Sequence, residues 1–297
     1  MVERIVCVGG INLDRKLRPL ASLIRGSSNP CTALESPGGV ARNVAENLAR
    51  LGVPVSLVGA VGDDLAGRAL LEAAAASGID VGPVLRLRGQ TTDSYTALLQ
   101  ADGELAYGLA AMPLVERVNS WALAASRALR AEAACVILDG NLPPDAVASL
   151  IAEGSRLLAY VSVSEPKMAR LPQALAGLNL LLLNRAELLA LDPDPERALQ
   201  QLHARGCQRV LVSLGTEGLL VSEPTGLGRQ TLAAPPVDEV LDVTGAGDAL
   251  AAGVCAWLCR RPDDLFGAAR LGQHLAALTV QCEQSVSPQL SLQLLPP

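Results

Sequence analysis

The sequence predicts an α/β fold: a doubly wound, mostly parallel sheet flanked by helices, with a small β-sheet lid. Three observations carry this expectation. Short, continuous apolar runs alternate with helix-length segments along most of the chain, the pattern of buried parallel strands and their crossover helices. The first run, Arg4 to Val8, ends in Gly9-Gly10, and ligands of open α/β sheets bind at such carboxyl ends of strands. One stretch, Val84 to Ala110, breaks the rhythm with short alternating segments around Asp102-Gly103, a hairpin signal.

The elements follow in order. Ala41 to Leu51 places Ala41, Val44, Ala45, Leu48 and Leu51 on one helical face, and Gly52 ends it. Pro54 to Gly59 reads as the next strand, and the Ala/Leu-rich Asp64 to Ser77, closed by Gly78, as a second helix. Past the hairpin, Ala134 to Leu138 is a strand, Pro144 to Glu153 a helix, and Leu157 to Val163 and Leu178 to Leu183 two strands. Helix Glu196 to Arg205, strand Arg209 to Leu214 and two long helices, Asp248 to Arg260 and Leu265 to Cys282, complete the pattern. No repeat or low-complexity linker divides it. Residues 1–297 are therefore expected to form a single domain, with segments near 13–36 and 84–112 as a lid over the cleft.

Composition narrows the function. Hydrophobic residues make up 50% and charged residues 18%, enough apolar surface for a sizeable core and unlike a disordered chain. With Trp 2, Tyr 3, Phe 1 and a net charge of −6, basic stripes and stacking platforms are missing, so no nucleic acid polymer is expected as partner. The longest apolar stretches fall short of the ~18 residues of a membrane span, and the N-terminus reads as a strand rather than a signal peptide. A cytoplasmic protein with small-molecule partners and no membrane is the expectation. The seven cysteines are odd in number and scattered, which suits reduced thiols. Cys255 and Cys259 sit four apart but lack a second ligand pair for zinc. His203 and His274 have no neighbouring ligands and receive no role.

The most informative segment is Asp242-Val243-Thr244-Gly245-Ala246-Gly247-Asp248, followed directly by an apolar helix. The glycines allow a tight turn and close approach to a ligand, and the helix start leaves N–H groups unpaired at the positive end of the dipole. Such a place stabilises the charge on a phosphoryl group in flight, so Gly245, Ala246 and Gly247 read as an anion hole. Asp248 could accept the proton of an attacking hydroxyl; the alternative is a helix N-cap. Neither a GxxxxGK[ST] loop nor a GxGxxG turn after the first strand is present.

This Asp-x-x-Gly-Ala-Gly-Asp segment resembles the C-terminal signature of the PfkB, or ribokinase-like, sugar kinases, and the resemblance covers nearly the whole chain. Gly10-Ile11-Asn12-Leu13-Asp14 is similar to the family's sugar-binding strand end, and Pro37-Gly38-Gly39-Val40-Ala41-Arg42-Asn43 to its diglycine motif. Short polar side chains there can bond vicinal hydroxyls, although Asn12 and Asp14 could also be turn residues and Gly38-Gly39 a flexible joint. Asn184-Arg185-Ala186-Glu187 looks like the Asn-x-x-Glu motif, which implies that Glu187 helps hold Mg²⁺ through water; a capping box is the alternative. Ser213-Leu214-Gly215-Thr216-Glu217-Gly218 resembles the nucleotide loop, so Ser213, Gly215 and Gly218 are expected to face ATP phosphates with Asn184, Thr244, Gly245 and Gly247. Adenine would sit near Ala276 and Thr279. The resemblance also implies a possible K⁺ at Asp242, near Ser285 to Ser287.

Within the family, Ser28-Asn29-Pro30, the stretch from Pro37 to Leu48, Thr92-Asp93-Ser94-Tyr95 and Asp139-Gly140-Asn141 are most similar to kinases acting on pseudouridine. This implies transfer of the ATP γ-phosphate to the 5′-hydroxyl of a C-nucleoside, with Asn12, Asp14, Gly38, Gly39, Asn43 and Asn141 around the ribose. Tyr95 and Asn29 are candidates for the base. The chain departs from its relatives at Val161-Ser162-Val163, where an Asp or Asn usually faces the phosphate and metal. Kinases for another nucleoside, ribose or fructose, and a binding regulator with weakened chemistry, are the alternatives. Exposed lid edges imply a homodimer.

Overall fold

The computed structural model describes residues 4–224 and 228–295. Six parallel strands form the body of the large sheet: β1 (Ile5–Val8), β4 (Val55–Val58), β9 (Cys135–Asp139), β10 (Leu158–Val161), β11 (Leu180–Asn184) and β12 (Arg209–Ser213). Antiparallel β13 (Leu219–Ser222) and β14 (Arg229–Leu232) extend one edge, giving the order β14-β13-β12-β11-β10-β9-β1-β4. The chain runs from β1 outward to β4, then returns to β9 on the other side of β1. Strand order reverses between β1 and β9, the place where open α/β sheets form their ligand crevice.

Alternation along each strand supplies two cores, because successive side chains leave a sheet on opposite faces. Ile5 and Cys7, Cys135 and Ile137, Leu180 and Leu182 enter one core with helices α1 (Val40–Arg50), α2 (Leu65–Ala76), α8 (Ala246–Arg260) and α9 (Leu265–Val280). Val6 and Val8, Val136 and Leu138, Leu181 and Leu183 enter the other, with α5 (Pro144–Glu153) and α7 (Pro195–Ala204). Burial on both faces explains why these strands read as unbroken apolar runs rather than alternating ones.

A second, four-stranded sheet has the order β3-β2-β7-β8, built from β2 (Asn12–Pro19), β3 (Cys31–Gly38), β7 (Ser94–Leu99) and β8 (Leu105–Ala111). The hairpin turn falls at Gly103, whose φ of 98 supplies the left-handed residue. One expected boundary shifts: Leu85–Leu87 (β6) leaves the small sheet and pairs in parallel with Ala60–Gly62 (β5). The reason is local, since residues 90–92 fold back on Gly62, and Asp64 accepts from the Thr92 N–H and hydroxyl at 2.9 and 2.5 Å.

Three short helices fill the connections: α3 (Ser120–Leu123), α4 (Arg127–Ala131) and α6 (Arg185–Leu191). All seven cysteines are free thiols. His203 ties α7 to β13 by bonding the Cys207 carbonyl and the Ser222 hydroxyl at 2.8 and 2.9 Å. Among the described residues no helix is long and apolar enough to cross a membrane, and no cluster of three His, Cys, Asp or Glu is placed to hold a metal.

Candidate active site

A cavity of about 1110 Å³ runs along the carboxyl ends of the parallel strands, between them and the small sheet. At one end stand Asn12, Asp14, Gly39, Asn43, Tyr95 and Asn141. At the other stand Asn184, Glu187, Ser213 and Gly215. The segment from Thr244 to Asp248 lies in the wall as well. Residues far apart in the sequence thus become two groups facing one space.

The segment before α8 adopts its shape for a steric reason. Gly245 has φ 84, and a Cβ there would sit 2.0 Å from the Ser285 carbonyl oxygen, so a side chain is excluded. The helix then starts at Ala246, two residues earlier than expected, and no side chain caps it. Gly247 lines the cavity with nothing within 4 Å of where a Cβ would be. The Ala246 N–H turns back onto the Val243 carbonyl at 3.3 Å, so it is Gly247 that meets open space at this helix start, the arrangement that stabilises an anion.

Asp248 is the third residue of this helix rather than its N-cap, which sets aside the capping alternative. Its carboxylate is 8% exposed and accepts one hydrogen bond, from Asn43 Nδ2 at 2.7 Å. Burial pushes its pKa up to about 7, helped by the nearby carboxylates of Asp139 and Asp14 and opposed by the Asn43 amide and the Arg42 guanidinium. Asn43 Oδ1 is buried without a partner, so this amide can accept from a ligand hydroxyl while its nitrogen holds Asp248.

Close packing brings the diglycine motif to this point. Gly39 has φ 101, and a Cβ on it would lie 2.3 Å from the Gly10 carbonyl oxygen. Gly38 lies off the cavity wall, packed behind the Asp14 carboxylate, which a Cβ there would meet at 2.2 Å. Asn12 Nδ2 donates to Asp14 Oδ1 at 2.5 Å, while burial raises the Asp14 pKa.

The nucleotide-side residues show a double use. Asn184 caps α6 by accepting from the Glu187 N–H at 2.9 Å, and Glu187 Oε2 accepts from the Asn184 N–H at 2.8 Å, so the capping box is present. Ser162 also donates to Oε2, leaving the second carboxylate oxygen outside these contacts. The donors gathered here are neutral or singly charged oxygens, a set that fits a hydrated divalent cation carried on phosphates better than a closed protein cage.

Besides Gly38, expected around the ribose but packed off the cavity wall, four expectations change. Asp242 lies off the cavity wall; its Oδ1 accepts from the Thr244 N–H at 2.9 Å, and its Oδ2 from the Lys16 ammonium of β2. With both oxygens engaged, one by a cation, its side chain does not fit a potassium ion. Asn29 is consumed by its own loop, bonding the Ile24 N–H at 2.7 Å and two carbonyls at 3.1 Å, and does not reach the cavity. Gly218, between β12 and β13, packs on the Leu232 carbonyl at the end of β14 and lies off the cavity wall. Thr279 is buried and donates to the Leu275 carbonyl at 3.0 Å, and neither it nor Ala276 lines the cavity.

Two side chains to which the sequence assigned no role matter here. Asp139 accepts from the Gly10 and Ala41 N–H groups at 2.8 and 3.2 Å and from the Asn141 N–H at 2.7 Å, pinning three loops together. An acidic residue at the end of a buried strand is a signal for it. Lys167, in the turn after β10, lines the cavity and donates to Asn141 Oδ1; no local spacing pointed to it.

A crevice at the strand-order reversal, a buried carboxylate with spare accepting capacity and an uncapped helix start define a phosphotransferase that acts on a hydroxyl group. The chain belongs to the pfkB family of carbohydrate kinases, whose model matches residues 2–291. It is 30% identical to a pseudouridine kinase of Escherichia coli K12 over 98% of this chain and 94% of that one. It is also similar to the solved carbohydrate kinase from Agrobacterium tumefaciens, with 31% identity, a TM-score of 0.83 and coverage of 99% and 95%. Arabidopsis thaliana ribokinase, solved with ribose and ATP, shares the fold at a TM-score of 0.81 and 21% identity, with 100% of each chain covered. The substrate is accordingly a small sugar or nucleoside.

Proposed function

We propose that this kinase transfers the γ-phosphate of ATP to the 5′-hydroxyl of pseudouridine. The observation that carries this reading is the meeting of Asp248, the unpartnered Asn43 Oδ1 and the helix start at Gly247 in one cavity. Asn12, Asp14, Gly39, Asn43 and Asn141 hold the ribose, and Tyr95 stands on the base side. Asn184, Ser213, Gly215 and Thr244 face the donor phosphates. Glu187 would hold Mg²⁺ through water, and the ion would supply charge neutralisation on the phosphates.

In the reaction the acceptor oxygen forms a bond to the terminal phosphorus as its proton passes to Asp248. The bond to the bridging oxygen breaks, and ADP leaves with the electron pair. The amides of Gly245 and Gly247 face the phosphoryl oxygens, where preorganised donors are worth most, while the Ala246 N–H, expected to join them, is held by the Val243 carbonyl. The base works when ionised, and its raised pKa makes it a better proton acceptor than an ordinary carboxylate near neutral pH. The small sheet serves as a lid, and its apolar edge strand β8, with Leu105, Tyr107 and Leu109 56, 65 and 59% exposed, supports a homodimer. Light scattering tests the dimer.

A panel of nucleosides and sugars with ATP and Mg²⁺ tests the substrate. Pseudouridine is expected to give the highest kcat/KM; faster turnover of ribose, fructose or another nucleoside overturns that choice. The same panel giving no phosphorylated product at all returns the protein to a binding role.

A further inference from the structure

The loop after β10 occupies a position that the proposed function leaves without a task. In the sheet, β10 lies between β9, whose end carries Asn141, and β11, whose end carries Asn184 and the start of α6. One neighbour serves the acceptor side of the cavity and the other the donor side, so whatever projects from the end of β10 sits at their junction. That loop brings Ser162, which bonds Glu187, and Lys167, which bonds Asn141.

Lys167 is held there by its own turn. Pro166 precedes it, Met168 is buried in the core at 3% exposure, and Arg170 Nη1 donates to the Asn141 and Leu142 carbonyls at 2.8 and 3.3 Å. Arg170 is fixed in turn by Glu116 at 2.7 Å. The half-buried lysine between these anchors therefore faces the cavity from a braced backbone.

Charge gives it a purpose. Described residues on the cavity wall include three carboxylates, Asp14, Glu187 and Asp248, and two cations, Lys167 and Arg185. Arg185 is paired with Glu217 at 2.7 Å and lies toward solvent. Lys167 meets a neutral amide oxygen, so its charge is not cancelled by a direct carboxylate contact, and an ammonium has three donors of which Asn141 takes one. A polyphosphate entering beside three carboxylates needs such a charge.

We propose that Lys167 is a further catalytic residue, whose ammonium contacts the oxygens of the phosphoryl group during its transfer. It keeps its proton throughout; the bond changes are those given above, and the lysine stabilises the charge that accumulates in the transition state. This inference rests on the kinase reading and extends it to a residue outside the glycine-rich loop.

The test compares wild type with Lys167→Met and Lys167→Arg, by steady-state kinetics, calorimetry with pseudouridine, and binding of ADP with aluminium fluoride as a phosphoryl mimic. Lys167→Met is expected to lower kcat by about 10²-fold or more and to weaken the mimic by a similar factor, with acceptor affinity within about threefold of wild type. Lys167→Arg is expected to recover at least about tenfold of the lost rate, since it restores a donor and a charge. Unchanged kcat and mimic binding in Lys167→Met overturn the proposal, as does a loss confined to the KM for the acceptor. A wild type that phosphorylates no acceptor refutes the kinase reading and this inference with it. An active wild type with an unimpaired Lys167→Met refutes the lysine alone. Thermal melting of both variants separates these results from misfolding, and Lys167→Arg carries the decision should the methionine variant not fold.

Discussion

Asp139 at the end of β9 and Asp248 in the first turn of α8 are both buried aspartates, and burial raises the pKa of each. Their partners differ. Asp139 accepts three backbone N–H bonds, and it lies off the cavity wall. Asp248 accepts one side-chain N–H and lines the cavity. A carboxylate that holds three backbone donors and faces no opening fixes loops in place. An under-bonded one keeps a lone pair for a proton. Burial alone does not mark a catalytic acid or base; unused hydrogen-bonding capacity facing an opening does.

The largest effect expected from this contrast is on rate. Asp248→Asn should lower kcat by at least ~10²-fold while substrate binding stays near normal, because only the proton acceptor is lost. Steady-state kinetics with calorimetry checks this, and a variant as fast as wild type would place the base elsewhere. Asp139→Asn should act on stability instead, costing about 2–4 kcal/mol in urea unfolding, since an amide cannot accept at both former oxygens. Normal stability with abolished turnover in that variant would exchange the two roles and break the comparison.

pH sharpens it further. With a pKa near 7, Asp248 must lose its proton to act, so kcat/KM should rise with pH through about 7 and level off above it. Asn43→Ala removes the amide that holds this pKa down, and the rise should move to higher pH, with a greater loss at pH 6 than at pH 9. A limb that stays in place would separate Asn43 from the titration. Stability has the opposite sign. A carboxyl whose folded pKa is raised favours the fold below its unfolded value near 4, and that contribution is lost as pH rises through 7. Asp248→Asn should thus raise Tm relative to wild type at pH 8 and give no gain at pH 4. The smallest effect concerns Asp242: with Lys16 already neutralising it, replacing potassium by sodium should leave the rate unchanged, and marked potassium activation would argue against the ion pair.

Much of the architecture was legible because it is written in local pattern. Doubly buried strands appear as runs such as Leu180 to Leu183, and Gly103 marks its hairpin by the turn it permits. The segment from Asp242 to Asp248 announced a turn, a helix start and an acid together. Leu85–Leu87 was misplaced because three residues carry too little pattern to show which partner they pair with. Asn29 looked available because polar loop residues read alike whether they face a ligand or bond their own backbone. Lys167 was invisible because its importance comes from the strand order that sets β10 between its neighbours.

The sequence by itself determined the alternation of strand and helix, the glycines where backbone must turn or touch, and the chemical kinds of group available, since these depend on neighbours within a few residues. Tertiary structure alone decided which of them meet: Asn43 with Asp248, Asp139 with Gly10 and Ala41, Lys16 with Asp242. It also decided how strongly a carboxyl holds its proton, because that depends on the water excluded and the charges gathered by segments far apart along the chain.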